Sequence, residues 1–199
     1  YPLISDFLAR VNDHASIPAL TDLAARHVRS VTGYGRVMVY QFDPNGHGRV
    51  VAESKSPDYD SYMGQSFPAS DIPAQARELY TLSPIRLIQD ANYVPAPLMP
   101  GENPVTGERN DLSFAALRSV SPVHLQYMRN MGTLASMSVS LIVKGKLWGL
   151  ISCHNAAPCP VPVEKRTACE QLGQILALCI ETREDGAELQ FRLDVRRIM

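Results

Sequence analysis

The chain has 199 residues, of which 45% are hydrophobic and 20% are charged, a composition typical of one globular domain with its own core. Its formal net charge of -1 provides no positive field to hold nucleic acid or an anionic membrane surface, so we expect neither partner. The longest apolar stretch, LASMSVSLIV at residues 134–143, is too short to span a bilayer. We therefore expect a cytoplasmic protein.

The four cysteines all lie in the last quarter of the chain, in or beside apolar segments, at Cys153, Cys159, Cys169 and Cys179. This placement is typical of reduced, mostly buried thiols in a cytosolic protein. There is no C-x-x-C pair and no zinc-ligand spacing, so no metal site is predicted. The chain begins with Tyr and carries no charged-then-apolar leader, and we expect it to be a piece of a longer protein.

The first half of the chain predicts a helix followed by a hairpin. Apolar residues recur at helical spacing over residues 18–33, and Gly33 ends the pattern. Residues 36–42 (RVMVYQF) alternate as a strand, and residues 49–54 pair back after the turn DPNGHG. In SFPASDIPAQARELY, residues 66–80, we expect Ser70 or Asp71 to cap a helix with Pro73 in its first turn.

The second half predicts a strand, a long loop, a helix within residues 118–132, a second hairpin and a terminal helix. The strand is IRLIQD at residues 85–90, and the proline- and glycine-rich residues 91–111 have no period of either kind, which favours a functional loop. Two runs rich in β-formers flank Lys144-Gly145-Lys146 and predict a hairpin. Its alternation is expected to place the serines on one face and the apolar residues near the other, namely Ser136, Ser138 and Ser140 against Leu134, Met137 or Val139.

The terminal helix is predicted from Pro162 onward. One apolar stripe contains Leu172, Ile175, Leu176 and Cys179. Gly186 is expected to weaken this helix by about 1 kcal/mol relative to Ala, and Leu189, Leu193 and Val195 can continue it. The order of elements predicts an α+β fold with a central antiparallel sheet and helices on its faces.

Catalysis is poorly supported by the sequence. There is no G-x-S-x-G elbow, no G-x-x-x-x-G-K-[ST] phosphate loop and no G-x-G-x-x-G after a strand. His124 and His154 taken alone are most simply satisfied core or surface histidines. No enzymatic activity is therefore predicted.

Four motifs change that interpretation: SFPASDIPAQARELY, the following IRLI, SPVHLQYMRNMG and the hairpin that ends in LWGLISCHN. Together they resemble the chromophore-binding GAF domain of phytochromes, and most closely that of bacteriophytochromes. The likeness covers nearly the whole chain. It implies a red and far-red photoreceptor that binds a linear tetrapyrrole (a bilin, here biliverdin), whose photoisomerisation drives signal transduction.

The resemblance assigns roles around the pyrrole rings. With Pro73 fixing the turn Asp71-Ile72-Pro73, the backbone carbonyl of Asp71 is free to accept hydrogen bonds from the ring N–H groups of the cationic bilin. His124 lies over the same rings and hydrogen-bonds an ordered water there. Ser121, just before this histidine, is included in the predicted site.

The resemblance also assigns residues to the two propionates of the bilin and to its isomerising ring. Tyr80, Arg86 and Arg118 match positions that bind one propionate, and Ser136 and Ser138 match positions near the other. The isomerising ring is surrounded by an aromatic cage, and its carbonyl accepts a hydrogen bond from a histidine. The matching residues are Tyr40, Phe67 and Tyr127 for the cage and His154 for the carbonyl.

One departure from the family concerns covalent attachment. Val123 stands where plant and cyanobacterial phytochromes carry the cysteine that forms a thioether. Bacteriophytochromes use a cysteine ahead of the GAF domain, and no cysteine precedes Cys153 here. We therefore expect non-covalent binding in this piece, with Cys153 the first cysteine to test if pigment stays attached.

The second departure is the absence of the neighbouring domains. The resemblance implies a PAS segment that threads the loop at residues 91–111, and that loop is expected to be mobile without it. A PHY domain normally docks a tongue on Asp71. We assign residues 1–183 to the bilin-binding domain and 184–199 to the helix that leads to the PHY domain. A histidine kinase or other output module, and a homodimer through helices, are expected of the parent protein.

Three alternatives remain open at this point. A GAF domain can bind a cyclic nucleotide, in which case no visible spectrum and no dependence on Tyr40 and His154 are expected. It can also serve as a structural dimerisation module that uses the terminal helix. A methionine-sulfoxide reductase on this fold is less favoured, because the four cysteines cluster in one apolar region.

Overall fold

A six-stranded antiparallel sheet with strand order β3-β2-β1-β6-β5-β4 forms the centre of the molecule in the computed structural model, which describes residues 2–14, 16–115 and 118–198. The α+β class and the flanking helices predicted from the sequence are confirmed. The elements in chain order are α1 (Pro2–Val11), α2 (Ile17–Thr32), β1 (Arg36–Phe42), β2 (Gly48–Lys55), β3 (Ser66–Phe67), α3 (Ala74–Leu82), β4 (Ile85–Ile88), α4 (Pro122–Asn130), β5 (Ala135–Val143), β6 (Lys146–Asn155) and α5 (Val163–Ile198).

The main core lies between one face of the sheet and the helices α1, α2 and α5. Alternate strand residues such as Val39, Met137 and Ile151 point into it and are fully buried. Close approach of α5 to β5 requires a residue without a side chain at position 173, because a Cβ there would overlap Val139. Burial of this continuous apolar layer is the main source of stability for the domain.

The hairpin of β5 and β6 has a two-residue turn, Lys144-Gly145. Both residues have positive φ, 50° and 73°, as a type I′ turn requires, and its twist matches that of the strands. Lys146, predicted to belong to the turn, is the first residue of β6. The alternation predicted for β5 is confirmed: Met137 and Val139 face the main core, while the serines face the other side of the sheet.

Several predicted details were wrong. Helix α3 begins at Ala74 with Pro73 at its N-cap, and no side chain caps it, so neither Ser70 nor Asp71 serves as the cap. The preceding segment instead forms a turn in which the Asp71 N–H donates to the Pro68 carbonyl at 3.1 Å. Leu134 precedes β5 and packs in a separate cluster with Ala91, Leu125 and Met128 rather than with Met137.

Two elements were not predicted, α1 and the short edge strand β3. Helix α1 packs through Ile4, Phe7 and Val11 against the main core. Residues 91–111 contain no helix or strand, as predicted. Helix α5 continues through Gly186 to residue 198, so the expected weakening does not interrupt it.

Among the residues that the structure describes, no helix is long and apolar enough to cross a membrane. Within the same ranges, no group of three or more His, Cys, Asp or Glu side chains is placed to hold a metal ion.

Candidate functional site

A cleft opens on the face of the sheet opposite the main core. It contains about 870 Å³ of space not filled by protein atoms, a volume that includes the open solvent at its mouth. Most of the residues predicted as a binding site line it. They are Tyr40, Phe67, Asp71, Ile72, Tyr80, His124, Tyr127, Ser136, Ser138 and His154.

The floor of the cleft follows from the register of the three central strands. Ser136 pairs with His154, Ser138 pairs with Ser152, and Tyr40 pairs with Leu150. Because side chains alternate across a strand, these residues face the cleft while their neighbours face the main core. One end of the floor is therefore polar and the other is apolar.

An aromatic cluster forms the apolar end. The ring of Tyr40 packs edge-on against that of Phe42, with ring centroids 5.2 Å apart. The ring centroids of Tyr40 and Phe67 are 6.0 Å apart, and Phe67 in turn contacts Tyr62. Gly48 lies directly beneath the ring of Tyr40, and a Cβ at this position would overlap it. Burial, and then the charge of Asp71, raise the pKa of Tyr40 to about 12, so its hydroxyl remains protonated.

Helix α4 covers one side of the cleft. His124 and Tyr127 are one turn apart on the same face and stack with ring centroids 6.4 Å apart. The side chain of His124 is open toward the cleft, yet desolvation by the surrounding protein and the charge of Arg86 lower its pKa. Burial and Asp71 raise the pKa of Tyr127. Both rings are therefore favoured in their neutral forms.

The turn before α3 borders the cleft with Asp71 and Ile72. Nη1 of Arg77 stabilises this turn by donating hydrogen bonds to the carbonyls of Ile72 at 2.5 Å and Ala69 at 3.3 Å. The Asp71 carbonyl accepts no hydrogen bond from the described residues, and Asp71 itself is exposed. Pro73 is exposed at the N-cap and does not line the cleft.

Arg86 and Arg118 lie near one another beside the cleft rather than in its lining. Burial, and then the charge of Arg118, lower the pKa of Arg86, whose guanidinium lies 5.0 Å from the ring centroid of Tyr80. The Nε and Nη2 atoms of Arg86 are buried and have no hydrogen-bond partner among the described residues. Arg118 donates to the Ser113 carbonyl at 2.6 Å. Ser121 is the N-cap residue of α4 and lies outside the lining.

His154 is held at the polar end of the floor. Its Nδ1 lies 3.3 Å from Nη2 of Arg36, and its Nε2 lies 3.2 Å from Oγ of Ser152. Burial, and then the charges of Arg36 and His124, lower the pKa of His154 to about 3. The ring is therefore neutral at physiological pH.

Part of the lining was not predicted from the sequence. Alternation along β1 and β6 could have indicated Met38, Leu150 and Ser152, which share a face with Tyr40 and His154. The remaining residues come from β2, two loops and the end of α4. No sequence periodicity identifies residues at these places. They are Val50, Tyr62, Met128, Met131 and Thr133.

Cys153 lies on the opposite face of β6 from the cleft. It is fully buried in the main core, and burial raises the pKa of its thiol well above the ordinary value. Cys169 belongs to the same core, and Cys159 and Cys179 pack against it. This position does not favour Cys153 as an attachment site.

Comparisons with known proteins agree with this geometry. The sequence profile of the GAF domain family matches residues 16–181. The chain is 43% identical to cyanobacterial phytochrome B of Nostoc sp. over all of its length, and 48% identical to a bacteriophytochrome of Pseudomonas aeruginosa over 90% of its length. It spans about a quarter of each of these proteins, 26% and 25% respectively.

Solved structures show the same relationship. The chromophore-binding domain of an unusual bacteriophytochrome from R. palustris superimposes with a TM-score of 0.90 at 45% identity, covering 93% of this chain and 62% of that one. The corresponding domain of a Stigmatella aurantiaca bacteriophytochrome, in a Thr289His mutant, gives a TM-score of 0.84 at 46% identity, covering 90% of this chain and 59% of the other. The chain therefore belongs to the GAF domain family, and within it to the GAF domains of phytochromes and bacteriophytochromes.

Proposed function

We propose that this chain binds a linear tetrapyrrole, biliverdin, in the cleft and serves as the light-sensing domain of a bacteriophytochrome. The observation that carries the proposal is the gathering of most of the predicted bilin-binding residues around one cleft on a single face of the sheet. Two of the solved relatives are described as chromophore-binding domains.

Arg86 supports the binding of a carboxylate at one edge of the cleft. Arg86 is half-buried, and its buried Nε and Nη2 atoms have no partner among the described residues, so they are donors available for a bidentate contact with a propionate. Arg118 adds positive charge nearby, and Tyr80 packs against Arg86. Ser136 and Ser138 offer neutral hydroxyl groups on the floor for the second propionate. The edge thus suits an anionic group on an otherwise apolar ligand.

The turn at Asp71 supports the binding of pyrrole N–H groups. Its backbone carbonyl has no partner among the described residues, and the hydrogen bonds from Arg77 fix the adjacent carbonyls. A carbonyl in this position accepts hydrogen bonds without introducing a full negative charge. His124, kept neutral by burial and by Arg86, adds a polar group without a competing charge.

The aromatic cluster supports a role in confining the ring that isomerises. Tyr40, Phe67 and Tyr127 border the cleft, and Tyr40 is fixed between Gly48 and Phe42. Rigid rings that contact a flat ligand limit its rotation to a few positions. Light absorption by the bilin supplies the photochemistry, and these side chains determine which rotations are sterically possible.

Binding within residues 1–199 is proposed to be non-covalent. Val123, at the start of α4, has no nucleophile, and all four cysteines lie in or against the main core on the far side of the sheet. Acid denaturation of the complex followed by gel electrophoresis is expected to release the pigment. Pigment that stays with the protein would contradict this part of the proposal.

We further propose that the binding domain ends near residue 183 and that residues 184–199 begin a connecting helix. Ile180 is the last buried residue of α5 in the main core, and Arg183 donates to the carbonyls of Val11 and His14. The side chains of residues 185–197 are exposed, and the half-buried Glu184 accepts a hydrogen bond from the Trp148 indole. In the parent protein this helix would lead to a PHY domain, with a PAS segment at the loop 91–111.

The decisive experiment is to add biliverdin to the purified protein and record its absorption spectrum. We expect a red-shifted band, because a cleft that extends and protonates the pigment lengthens its conjugated path. A spectrum identical to that of free biliverdin would contradict the proposal. Binding of a cyclic nucleotide, measured by calorimetry with no response to biliverdin, would instead favour a nucleotide-sensing GAF domain.

A further inference from the structure

Arg36 is the cross-strand neighbour of His154. It is the first residue of β1 and pairs directly with His154 of β6, so both side chains project from the same face of the sheet. Only 4% of Arg36 is exposed, an unusual environment for a permanent cation. Its Nη2 lies 3.3 Å from Nδ1 of His154.

The position of the guanidinium is fixed by several neighbours. Nη1 of Arg36 donates to the Asp60 carbonyl at 3.0 Å, and the guanidinium carbon lies 3.8 Å from the ring centroid of Tyr62. Glu53 in turn holds this segment by accepting from the backbone N–H of Tyr62 at 2.9 Å and from the Ser61 hydroxyl at 2.5 Å. The guanidinium therefore has little freedom to turn away from the histidine.

This contact determines which ring nitrogen carries the hydrogen. A guanidinium has only donors, so Nδ1 of His154 must accept with its lone pair, and the hydrogen of the neutral ring lies on Nε2. Nε2 then donates to Oγ of Ser152, 3.2 Å away. Both side chains line the cleft.

We propose that Arg36 is a positioning residue that holds His154 as the neutral Nε2–H tautomer and thereby makes it a hydrogen-bond donor toward the cleft. The ring's single hydrogen donates to Ser152 Oγ in the pigment-free protein, so a ligand acceptor at this end shares that hydrogen or replaces Ser152 as its partner. The ring itself has no free lone pair for a ligand edge that only donates, because Nδ1 already accepts from Arg36. The proposal rests on the proposed function only where it names that acceptor as a ring carbonyl of the bilin.

The electrostatic surroundings of His154 agree with this assignment. Arg36 on β1, His124 on α4 and the hydroxyls of Ser152 and Ser136 are the charged, titratable or polar groups that face the ring. Burial, and then Arg36 and His124, lower the pKa of His154 to about 3, so the second nitrogen is not protonated at neutral pH.

The tautomer can be measured without pigment. In protein labelled with ¹⁵N-histidine, long-range proton–nitrogen spectra distinguish Nδ1–H from Nε2–H, and His154→Gln identifies the signal. We expect a pure Nε2–H pattern in the wild type and a mixture of tautomers in Arg36→Met. Arg29→Met is the matched control, because Arg29 is a half-buried arginine that donates to Ser56 Oγ from α2. An Nδ1–H pattern in the wild type, or an unchanged pattern in folded Arg36→Met, overturns the proposal.

Ser152→Ala provides a second test that requires only a small change in the core. If Arg36 sets the tautomer, the Nε2–H pattern persists when the Ser152 hydroxyl is removed. If Ser152 sets it, the variant shows a mixture, and the proposal is wrong. This variant decides the question even if circular dichroism shows that Arg36→Met does not fold.

The pigment provides a separate measurement. Arg36→Met is expected to bind biliverdin about fivefold more weakly than Arg29→Met, in keeping with the loss of one neutral hydrogen bond. Failure of every variant and of the wild type to bind biliverdin would contradict the proposed function but leave the tautomer result intact. Equal affinities of Arg36→Met and Arg29→Met would overturn the role of the donor in ligand binding.

Discussion

Two histidines border the same cleft, but their surroundings differ. His154 is held by Arg36 and Ser152, whereas His124 stacks on Tyr127 and is open to the cleft. Burial is the largest cause of the lowered pKa in both, and in each case an arginine adds to the effect. The two side chains can therefore contribute hydrogen bonds to a cationic ligand without adding positive charge.

The first prediction concerns His124. Replacing it by Ala removes a polar partner that favours the protonated pigment, so the pKa of bound biliverdin is expected to fall by about half to one unit. The measurement is the pH at which the red band gives way to a broad blue-shifted one. Lys146→Ala, an exposed change at the start of β6, is the control. An unchanged midpoint with normal pigment binding would make His124 a packing residue.

The second prediction concerns Arg86. If its buried Nε and Nη2 atoms bind a propionate, the wild type is expected to prefer biliverdin over its dimethyl ester by at least about tenfold. Arg86→Met is expected to lose most of this preference, because the donors for a bidentate contact with the carboxylate are gone. Arg49→Met, at an exposed position of β2, is the control and retains the preference. A preference undiminished in Arg86→Met would place the propionate elsewhere.

The third prediction is a pH dependence of stability in the pigment-free protein. The pKa of His154 is about 3 in the folded state and ordinarily about 6.5, so between these values the unfolded state binds more protons and stability falls as pH decreases. The effect is at most about 1.4 kcal/mol per pH unit. The free energy of unfolding is measured with urea at several pH values between 4.5 and 7. Plotted against pH, it is expected to change less steeply in His154→Gln than in His14→Gln. Equal slopes would mean that His154 titrates normally.

At the scale of the elements, alternation in β5 and β6 was the most informative pattern in the sequence. The serines at 136 and 138 were correctly placed on one face, and helical periodicity identified α2 and α5. Helix α1 has an ordinary amphipathic pattern that the sequence analysis did not use. The two-residue strand β3 depends on pairing with β2, which no local pattern reveals.

The start of α3 illustrates a limit of local rules. Ser70, Asp71 and Pro73 match the residue preferences of a helix start, yet the structure uses Pro73 as the N-cap and leaves Asp71 at the cleft. Residues of a binding site often depart from local preferences, because their positions are determined by tertiary contacts such as those of Arg77. The cap prediction failed at a point where the family resemblance assigns a ligand contact.

The fourth prediction separates the two faces of β5. Met137 is fully buried in the main core, so Met137→Ala is expected to lower the free energy of unfolding by about 2–5 kcal/mol. Ser136 is half-buried at the cleft, and Ser136→Ala is expected to change that free energy by less than about 1 kcal/mol while weakening pigment binding. Urea unfolding and pigment titration measure the two effects. A large stability loss in Ser136→Ala would mean that the cleft face is part of the folding core.

At the scale of the whole molecule, α5 leaves the main core after Ile180 and extends beyond it to residue 198. The β5–β6 hairpin contacts this helix at the point where it leaves the core, through Lys144 to Asp185 at 2.5 Å and Trp148 Nε1 to Glu184 at 2.9 Å. Ser138 on the floor of the cleft belongs to the same hairpin. A movement of the cleft floor would therefore be transmitted to α5 through these contacts. The exposed ion pair of Lys144 is individually weak.

The last prediction concerns association through this helix. Beyond residue 183, α5 exposes a series of large apolar side chains, namely Leu189, Phe191, Leu193 and Val195. An isolated helix segment with such a surface gains stability by packing against another helix, and a second copy of this chain provides one. We expect residues 1–199 to form a concentration-dependent dimer in analytical ultracentrifugation, and residues 1–183 to remain monomeric.

Leu189 and Leu193 lie one turn apart on the same face and provide a sharper test than truncation. The double variant Leu189→Ser and Leu193→Ser is expected to be monomeric, with an unchanged pigment band, because neither residue contacts the core of the domain. Asp194→Ser, an exposed polar change in the same helix, is the control and is expected to dimerise as the wild type does. If the double variant still dimerises, another surface of the chain forms the interface.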